Sequence, residues 1–493
     1  MRRAEERRRR PGPPPSVGWK LPPRPPAGTL VSEELAAFVC RSAYENLTET
    51  AREQLKIRIL DALGCAMGAL EGEPVQILRR YVREFAPQGT CTLIGGGMTA
   101  PDSAAFYNSA LVRYLDFNDS YLAKGETCHP SDNLGAILAG AEYADASGRE
   151  LMTALAVAYQ VQCRLSDVAP VRDKGFDHTV QGSYSVAAGV ARILRLDEVR
   201  TANAIAICGA AFNALRVTRT GQLSHWKGFA FPNMAACCTR AVFLARDGLT
   251  GPLEVFEGDK GFMDAIAGTF DIGWLGEGLD RAARTILKRF NAEIHSQSAI
   301  QAVLDLKTRH GFQAADVERI DLDTFDVAFN IIGGGEEGDK INSVTTKEQA
   351  DHSLPYLVAV AILDGDVMPA QYEPDRILKD DVQGLLRRVF VTAKEEYSRR
   401  FPEEMPSRIR IALRDGRTLV QESRDYPGFV SRPMSWDMAC NKFNRLVAPY
   451  ATDKKRKAIM HAVSEMEDMR VRDLMPMLGS VRVPGKEGSR KHA

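Results

Sequence analysis

The sequence predicts a mainly α protein, a large all-helical domain with a smaller α+β domain inserted in it. Three observations predict this. Apolar residues recur at helical spacing from residue 31 to about 275. Short runs of alternating character join the helical ones after about residue 276. Helical periodicity then returns from Ser435 to about Leu478. A pattern that is left and resumed reads as an insertion, so the chain divides into residues 1–30, 31–275, 276–429 and 430–493. At 493 residues it exceeds what one hydrophobic core usually organises.

Residues 1–30 form an Arg- and Pro-rich stretch with too little apolar content for a core, and they read as a disordered extension. No apolar run follows the basic stretch, which argues against a secretory signal. Ser32, with Glu33 and Glu34 behind it, suits a helix N-cap with acids in the first turn. A second helix opens at Thr48 or Thr50 and keeps Leu55, Ile59, Leu63 and Met67 at four-residue steps, with Leu60 widening the face. Further helical stretches fall at 74–86, 100–114, 131–146, 149–167, 181–195, 198–211 and 232–247. Several are rich in Ala and Gly, which lets helices approach closely. Residues 285–288 and 319–323 have β character, and 296–309 are helical. Ile409, Ile411 and Leu413 alternate up to Asp415 and Gly416, and residues 418–421 follow as the returning arm of a hairpin.

Composition narrows the function classes. Lys plus Arg equals Asp plus Glu at 64 each, which removes any global electrostatic case for nucleic acid or an anionic membrane. No run is long and charge-free enough to span a bilayer. The nine cysteines contain no CxxC pair, so neither a zinc site nor an iron–sulfur cluster is legible, and the thiols read as small buried hydrophobes in a reducing compartment. No phosphate-binding loop is present, and residues 333–335, three glycines, read as a flexible loop.

Chemistry is concentrated at residues 115–133, LDFNDSYLAKGETCHPSDN. Asp116 and Asp119 are three apart after a helical run and can face one side of its end. Pro130 suits the first turn of a following helix, placing His129 at a helix N-terminus beside two carboxylates. The carboxylates would raise its pKa and the helix terminus would lower it, so His129 could work as acid or base near neutrality. The same residues also suit caps and a turn.

This segment resembles the signature of the MmgE/PrpD family. Five more resemble family motifs in order: GFDHT at 175–179, SHWKG at 224–228, FEGDKGF at 256–262, HSQSAI at 295–300 and ADHSLPY at 350–356. The resemblance spans about residues 31 to 480. It implies a large helical domain with a smaller α+β lid, a homodimer, and no metal or organic cofactor. The implied activities are 2-methylcitrate dehydration, cis-aconitate decarboxylation or iminodisuccinate epimerisation. Its active-site pattern implies Asp116, Ser120, His129, His178, Lys227 and His295. The decarboxylases carry a tyrosine upstream of the ADHSLPY-like stretch, and here residues 333–342 contain none.

These readings point to a cytoplasmic, cofactor-independent hydro-lyase acting on a small polycarboxylate, 2-methylcitrate first, with no nucleic acid or membrane partner. Catalysis is expected from His129, His178, Lys227 and Asp116, with the two histidines as the proton-transfer pair. Substrate binding is expected from Ser120, His295, Arg219 and Lys340, because a polycarboxylate needs cations and donors. His352, in a helix-like stretch before Pro355, reads as structural. A decarboxylase or epimerase on a related acid is the alternative, and a non-catalytic protein retaining the fold is the third reading.

Overall fold

The computed structural model describes residues 29–482, so the expected extension at residues 1–30 lies almost entirely outside the described residues. The molecule is mainly α. Among the described residues, nine α-helices build its first part: α1 (Val31–Arg41), α2 (Glu49–Gly68), α3 (Glu73–Phe85), α4 (Pro101–Tyr114), α5 (Leu134–Ala144), α6 (Gly148–Val168), α7 (Thr179–Ile193), α8 (Glu198–Ala211) and α9 (Ala230–Arg246). Thr48 caps α2 by accepting from Ala51 N, as its side chain should at a helix start. Ser32 does not cap α1. That helix begins two residues earlier than a Ser32 cap would place it, after Leu30, whose N–H reaches Glu33 Oε2, and the Ser32 hydroxyl donates instead to Leu253 O at 2.5 Å.

Small residues allow the tight crossings. A Cβ on Gly135 in α5 would lie 2.3 Å from Ser109 N of α4, so only glycine lets these two helices meet there. Two minimal hairpins interrupt the helices: β1 (Cys91–Thr92) with β2 (Met98–Thr99), and β3 (Tyr121–Ala123) with β4 (Glu126–Cys128). The second one carries the chain from Asp116 to His129.

A separate apolar core forms among residues 286–429. It contains α10 (Gln297–His310), α11 (Asp326–Ile332), α12 (Lys347–Ala350) and α13 (Leu354–Asp364), packed on a sheet of β5 (Val317–Thr324), β6 (Val389–Ala393), β7 (Ser407–Leu413) and β8 (Thr418–Ser423). The strand order is β6-β5-β7-β8, with only the β5–β6 pair parallel. Ile409, Ile411 and Leu413 point into the core, and Gly416 turns the hairpin at φ 89°. Helices Trp436–Val447, Asp453–Ser464 and Val471–Gly479 then return to the first core, where Phe443 packs against Gly64 of α2.

The expected strand at residues 285–288 does not form. Ile286 makes a lone bridge with Ser120, while Arg58 donates to both the hydroxyl and the carbonyl of Thr285 at 2.6 Å. Scattered partners satisfy this buried backbone in place of a ladder: Arg58 meets Thr285 O, Ser120 pairs with Ile286, and Leu287 N donates to Gly428 O.

Candidate active site

Helix α4 ends at Tyr114, and two residues later Asp116 takes a left-handed backbone at φ 53°, uncommon outside glycine. That reversal turns its carboxylate into a cluster of cations. Arg113 Nη1 and Lys288 Nζ both lie 2.6 Å from Oδ1, and Lys227 Nζ lies 3.3 Å from Oδ2. Burial alone would raise the Asp116 pKa, but these three cations hold it well below the usual carboxylate range. Asp119 diverges from it. Its carboxylate accepts from Ser131 N and Tyr159 Oη, so only Asp116 joins the cavity and His129 is not flanked by two carboxylates.

His129 precedes a short turn, Pro130–Asn133, that runs into α5. Its Nδ1 lies 2.8 Å from Asp119 O, which can only accept, so Nδ1 carries the proton and Nε2 is left as an acceptor. Burial first, then Arg113 and Lys288, push its pKa well below the ordinary value. The expected balance near neutrality is therefore overturned: burial and two cations outweigh Asp116, and the imidazole is neutral.

His178 stands at the start of α7, its ring 5.3 Å from that of His129 and nearly perpendicular. Its Nδ1 faces Asp177 at 3.1 Å, and Asp177 is held by Arg219 Nε at 2.7 Å. Burial lowers the His178 pKa to about 4 despite Asp177. Its Nε2 is buried with no hydrogen-bond partner, as is Nε2 of His295, whose Nδ1 pairs with Glu293 at 2.7 Å. Burial would raise Glu293, yet His295 brings it down to about 2.

Lys227 lies on the short turn His225–Gly228 that leads into α9. Its ammonium is 3.0 Å from Asp351 Oδ1 and 3.0 Å from His352 Nδ1, besides Asp116. Asp116, Asp351 and His352 are also a group of ligand-type atoms within 4.8 Å of one another. Their shared space holds the Lys227 ammonium, so a metal there would have to displace a cation already bonded to all three.

These side chains line one cavity enclosing about 510 Å³, its open mouth included. Six cationic side chains and four histidines face three carboxylates there. His129, His178, Lys227, Asp116, His295 and Arg219 all line it. Two expected binding residues do not. Ser120 is fully buried with Oγ 3.1 Å from His129 Nδ1, so it touches the histidine and not the cavity. Lys340 stands off the wall, near enough for the charges of Glu337 and Lys227 to act on it, with its pKa lowered chiefly by burial.

Sequence reasoning missed Arg113, Arg172, Arg216, Lys288, Glu293, Glu337 and His352, which complete the wall. Lys288 left no signal in its β-like surroundings. His352, read as structural, in fact faces the cavity because Asp351 beside it is the buried partner of Lys227.

Models of the MmgE/PrpD N-terminal domain and the MmgE/PrpD C-terminal domain match residues 33–275 and 290–466. The chain belongs to the MmgE/PrpD family. It is 29% identical to a 2-methylcitrate dehydratase of Escherichia coli strain K12 over 68% of this chain and 72% of that one. A 2-methylcitrate dehydratase of Cupriavidus necator is 27% identical over 90% and 96% of the two chains. A fungal alkylcitrate dehydratase is 26% identical over 90% and 92%. As a member of the MmgE/PrpD family, the chain contributes to the cavity from both matched domains: His129, His178 and Lys227 from the first, His295 and His352 from the second. No helix among the described residues is long and apolar enough to cross a membrane.

Proposed function

We propose that this protein is a hydro-lyase that dehydrates a citrate-like polycarboxylate, with 2-methylcitrate, giving 2-methyl-cis-aconitate and water, as its substrate. The observation that carries the reading is His178: a buried, neutral imidazole with an unpartnered Nε2, backed by Asp177 and set in a cavity rich in fixed cations. Dehydration beside a carboxylate needs a base for a weakly acidic C–H and donors for the negative charge that develops. His178 Nε2 takes the C–H proton, and Asp177 stabilises the resulting imidazolium. The departing hydroxide needs a proton, and neutral His129 offers none at Nε2. Lys227 does, and its contacts with Asp116, Asp351 and His352 hold the ammonium in place. Water leaves, and the proton on His178 returns to Lys227 through solvent. Lys288 and Arg113 then orient the carboxylates, the His129 Nε2 acceptor faces a substrate hydroxyl, and Ser120 and Arg219 position His129 and His178.

The names of the relatives support this assignment. The cavity wall among the described residues includes no tyrosine, which disfavours a decarboxylase that uses one. No cofactor is required in this scheme, and a homodimer in the cytoplasm completes the reading. The nine free thiols, six of them buried, suit a reducing compartment. The purified protein should be offered 2-methylcitrate, citrate, cis-aconitate and iminodisuccinate in parallel, with products identified by mass spectrometry. Loss of water from 2-methylcitrate is expected. Loss of carbon dioxide from cis-aconitate, or turnover of iminodisuccinate alone, would replace the dehydratase reading.

A further inference from the structure

Every cation on the cavity wall is paired, and what its partner rests on separates one pair from the others. Asp116, Asp132, Asp177 and Asp351, which neutralise Arg113, Lys288, Arg219 and Lys227, have side chains at most 6% exposed. Withdrawing any of those cations would strand a buried carboxylate, which is costly. Glu126, at 3.9 Å from Arg172, is just as buried and is held by the backbone N–H groups of Val171 and Arg172. Arg216 differs. Its Nη2 meets Glu337 at 2.9 Å, and the Glu337 side chain, at 16%, is the most exposed of these carboxylate partners.

The two residues come from different parts of the fold. Arg216 belongs to the first core's loop after α8, and Glu337 to the loop that leaves α11 of the second. That loop is bounded by Gly334 at φ 99° and Gly338 at φ 97°, conformations only glycine adopts without strain. The space around both is open, with nothing within 4 Å of where a Cβ would be. Glu337 can therefore move into water without leaving a buried charge behind.

We propose that Glu337 is an internal stand-in for a substrate carboxylate: it occupies Arg216 in the empty enzyme and gives it up to one carboxylate of the incoming polycarboxylate. Arg216 is then a specificity-determining anchor, and its release loosens the loop at residues 333–338, which backbone bonds such as Glu337 N to Asn330 O at 3.0 Å still hold. Arginine suits this exchange, because its planar fork can bind a carboxylate through two N–H groups, whereas Glu337 engages Nη2 alone. The inference rests on the polycarboxylate reading above. An occupied anchor lowers apparent affinity by the fraction of molecules in which it is free, so removing the competitor tightens binding.

The test uses the full chain and tricarballylate, a tricarboxylate that lacks the hydroxyl and cannot be dehydrated. Titration calorimetry should show E337Q binding it about five-fold more tightly than the parent, on the scale of a partly exposed ion pair. R216Q should bind at least ten-fold more weakly, and the gain from E337Q should vanish in the R216Q background. A merely structural loop acid would give weaker binding in E337Q, or the same change with and without Arg216, and either result overturns the proposal. Hydrogen exchange of residues 333–340 reads the contact without any ligand: faster exchange is expected in E337Q and R216Q alike, and unchanged exchange in both rejects the latch. Failure of the parent to dehydrate any acid, with these binding and exchange ratios intact, would remove the dehydratase reading and leave the anchor standing.

Discussion

His178 is where charge and burial meet most directly. With its pKa near 4 it enters the reaction as a free base at neutral pH, and Asp177 fixes which nitrogen faces the substrate. His178→Gln should lower turnover by about 10² to 10⁴, the contribution of positioned general base catalysis, with KM little changed. Lys227→Ala should lower turnover and raise KM together, since that ammonium both donates a proton and attracts carboxylates. Steady-state kinetics on the two variants separates these roles, and near-normal turnover in His178→Gln would end the proposed mechanism. The same histidine ties stability to pH. Its folded pKa lies below the unfolded value of about 6.5, so between those limits the unfolded chain binds more protons and stability falls as pH falls. From pH about 6.5 to about 4 the loss should approach ~3 kcal/mol from this residue alone, at ~1.4 kcal/mol per unit. Below that, protonation of Asp116, Asp177 and Asp351, all held low by cations, adds to it. Urea melts from pH 7 to 4.5 should show this decline in the parent and a shallower one in His178→Gln.

At the level of elements, the site depends on how closely α4 and α5 approach. The end of α4 delivers Arg113 and Asp116, and the start of α5 follows His129, so their crossing sets the distance between the carboxylate hub and the imidazole. Gly135 lies at that crossing. Gly135→Ala would drive a Cβ to within 2.3 Å of Ser109 N, where backbone and not a flexible side chain must give way. The expected cost is about 1–3 kcal/mol, seen as a lower Tm in calorimetry, with turnover reduced in the fraction that remains folded. Gly175→Ala makes the control for an isolated steric effect, since no heavy atom lies within 4 Å of its Cβ position, though its φ of 85° still costs backbone strain. Helix positions are readable from periodicity and caps, as at Thr48, because those signals are local. Residues 285–288 have β character in the sequence because Thr, Ile and Leu suit any buried extended segment. Their backbone groups instead go to scattered partners, Ile286 to Ser120, Leu287 N to Gly428 O and Thr285 O to Arg58, so no ladder propagates.

For the molecule as a whole, Lys227 filling the space between Asp116, Asp351 and His352 predicts that prolonged EDTA or phenanthroline treatment leaves turnover unchanged, and a loss restored by one divalent ion would contradict it. Light scattering should give twice the chain mass at micromolar concentration, and a monomer would count against the homodimer. Sequence alone pointed to the mainly α architecture and the hairpin at Gly416, and the family resemblance with polycarboxylate chemistry implied His129, His178, Lys227, Asp116, His295 and Arg219, which line one cavity. Periodicity, turn chemistry and motif order are carried by neighbouring residues, so they survive without coordinates. Tertiary structure decided what those residues are chemically. His129 became a neutral acceptor because Asp119 presents its carbonyl while burial and two cations suppress the proton. Ser120 and Lys340 left the wall, and His352, Lys288, Arg216 and Glu337 entered it. Charge balance in a buried site is a sum over groups hundreds of residues apart, and only the folded chain brings the terms of that sum within reach of one another.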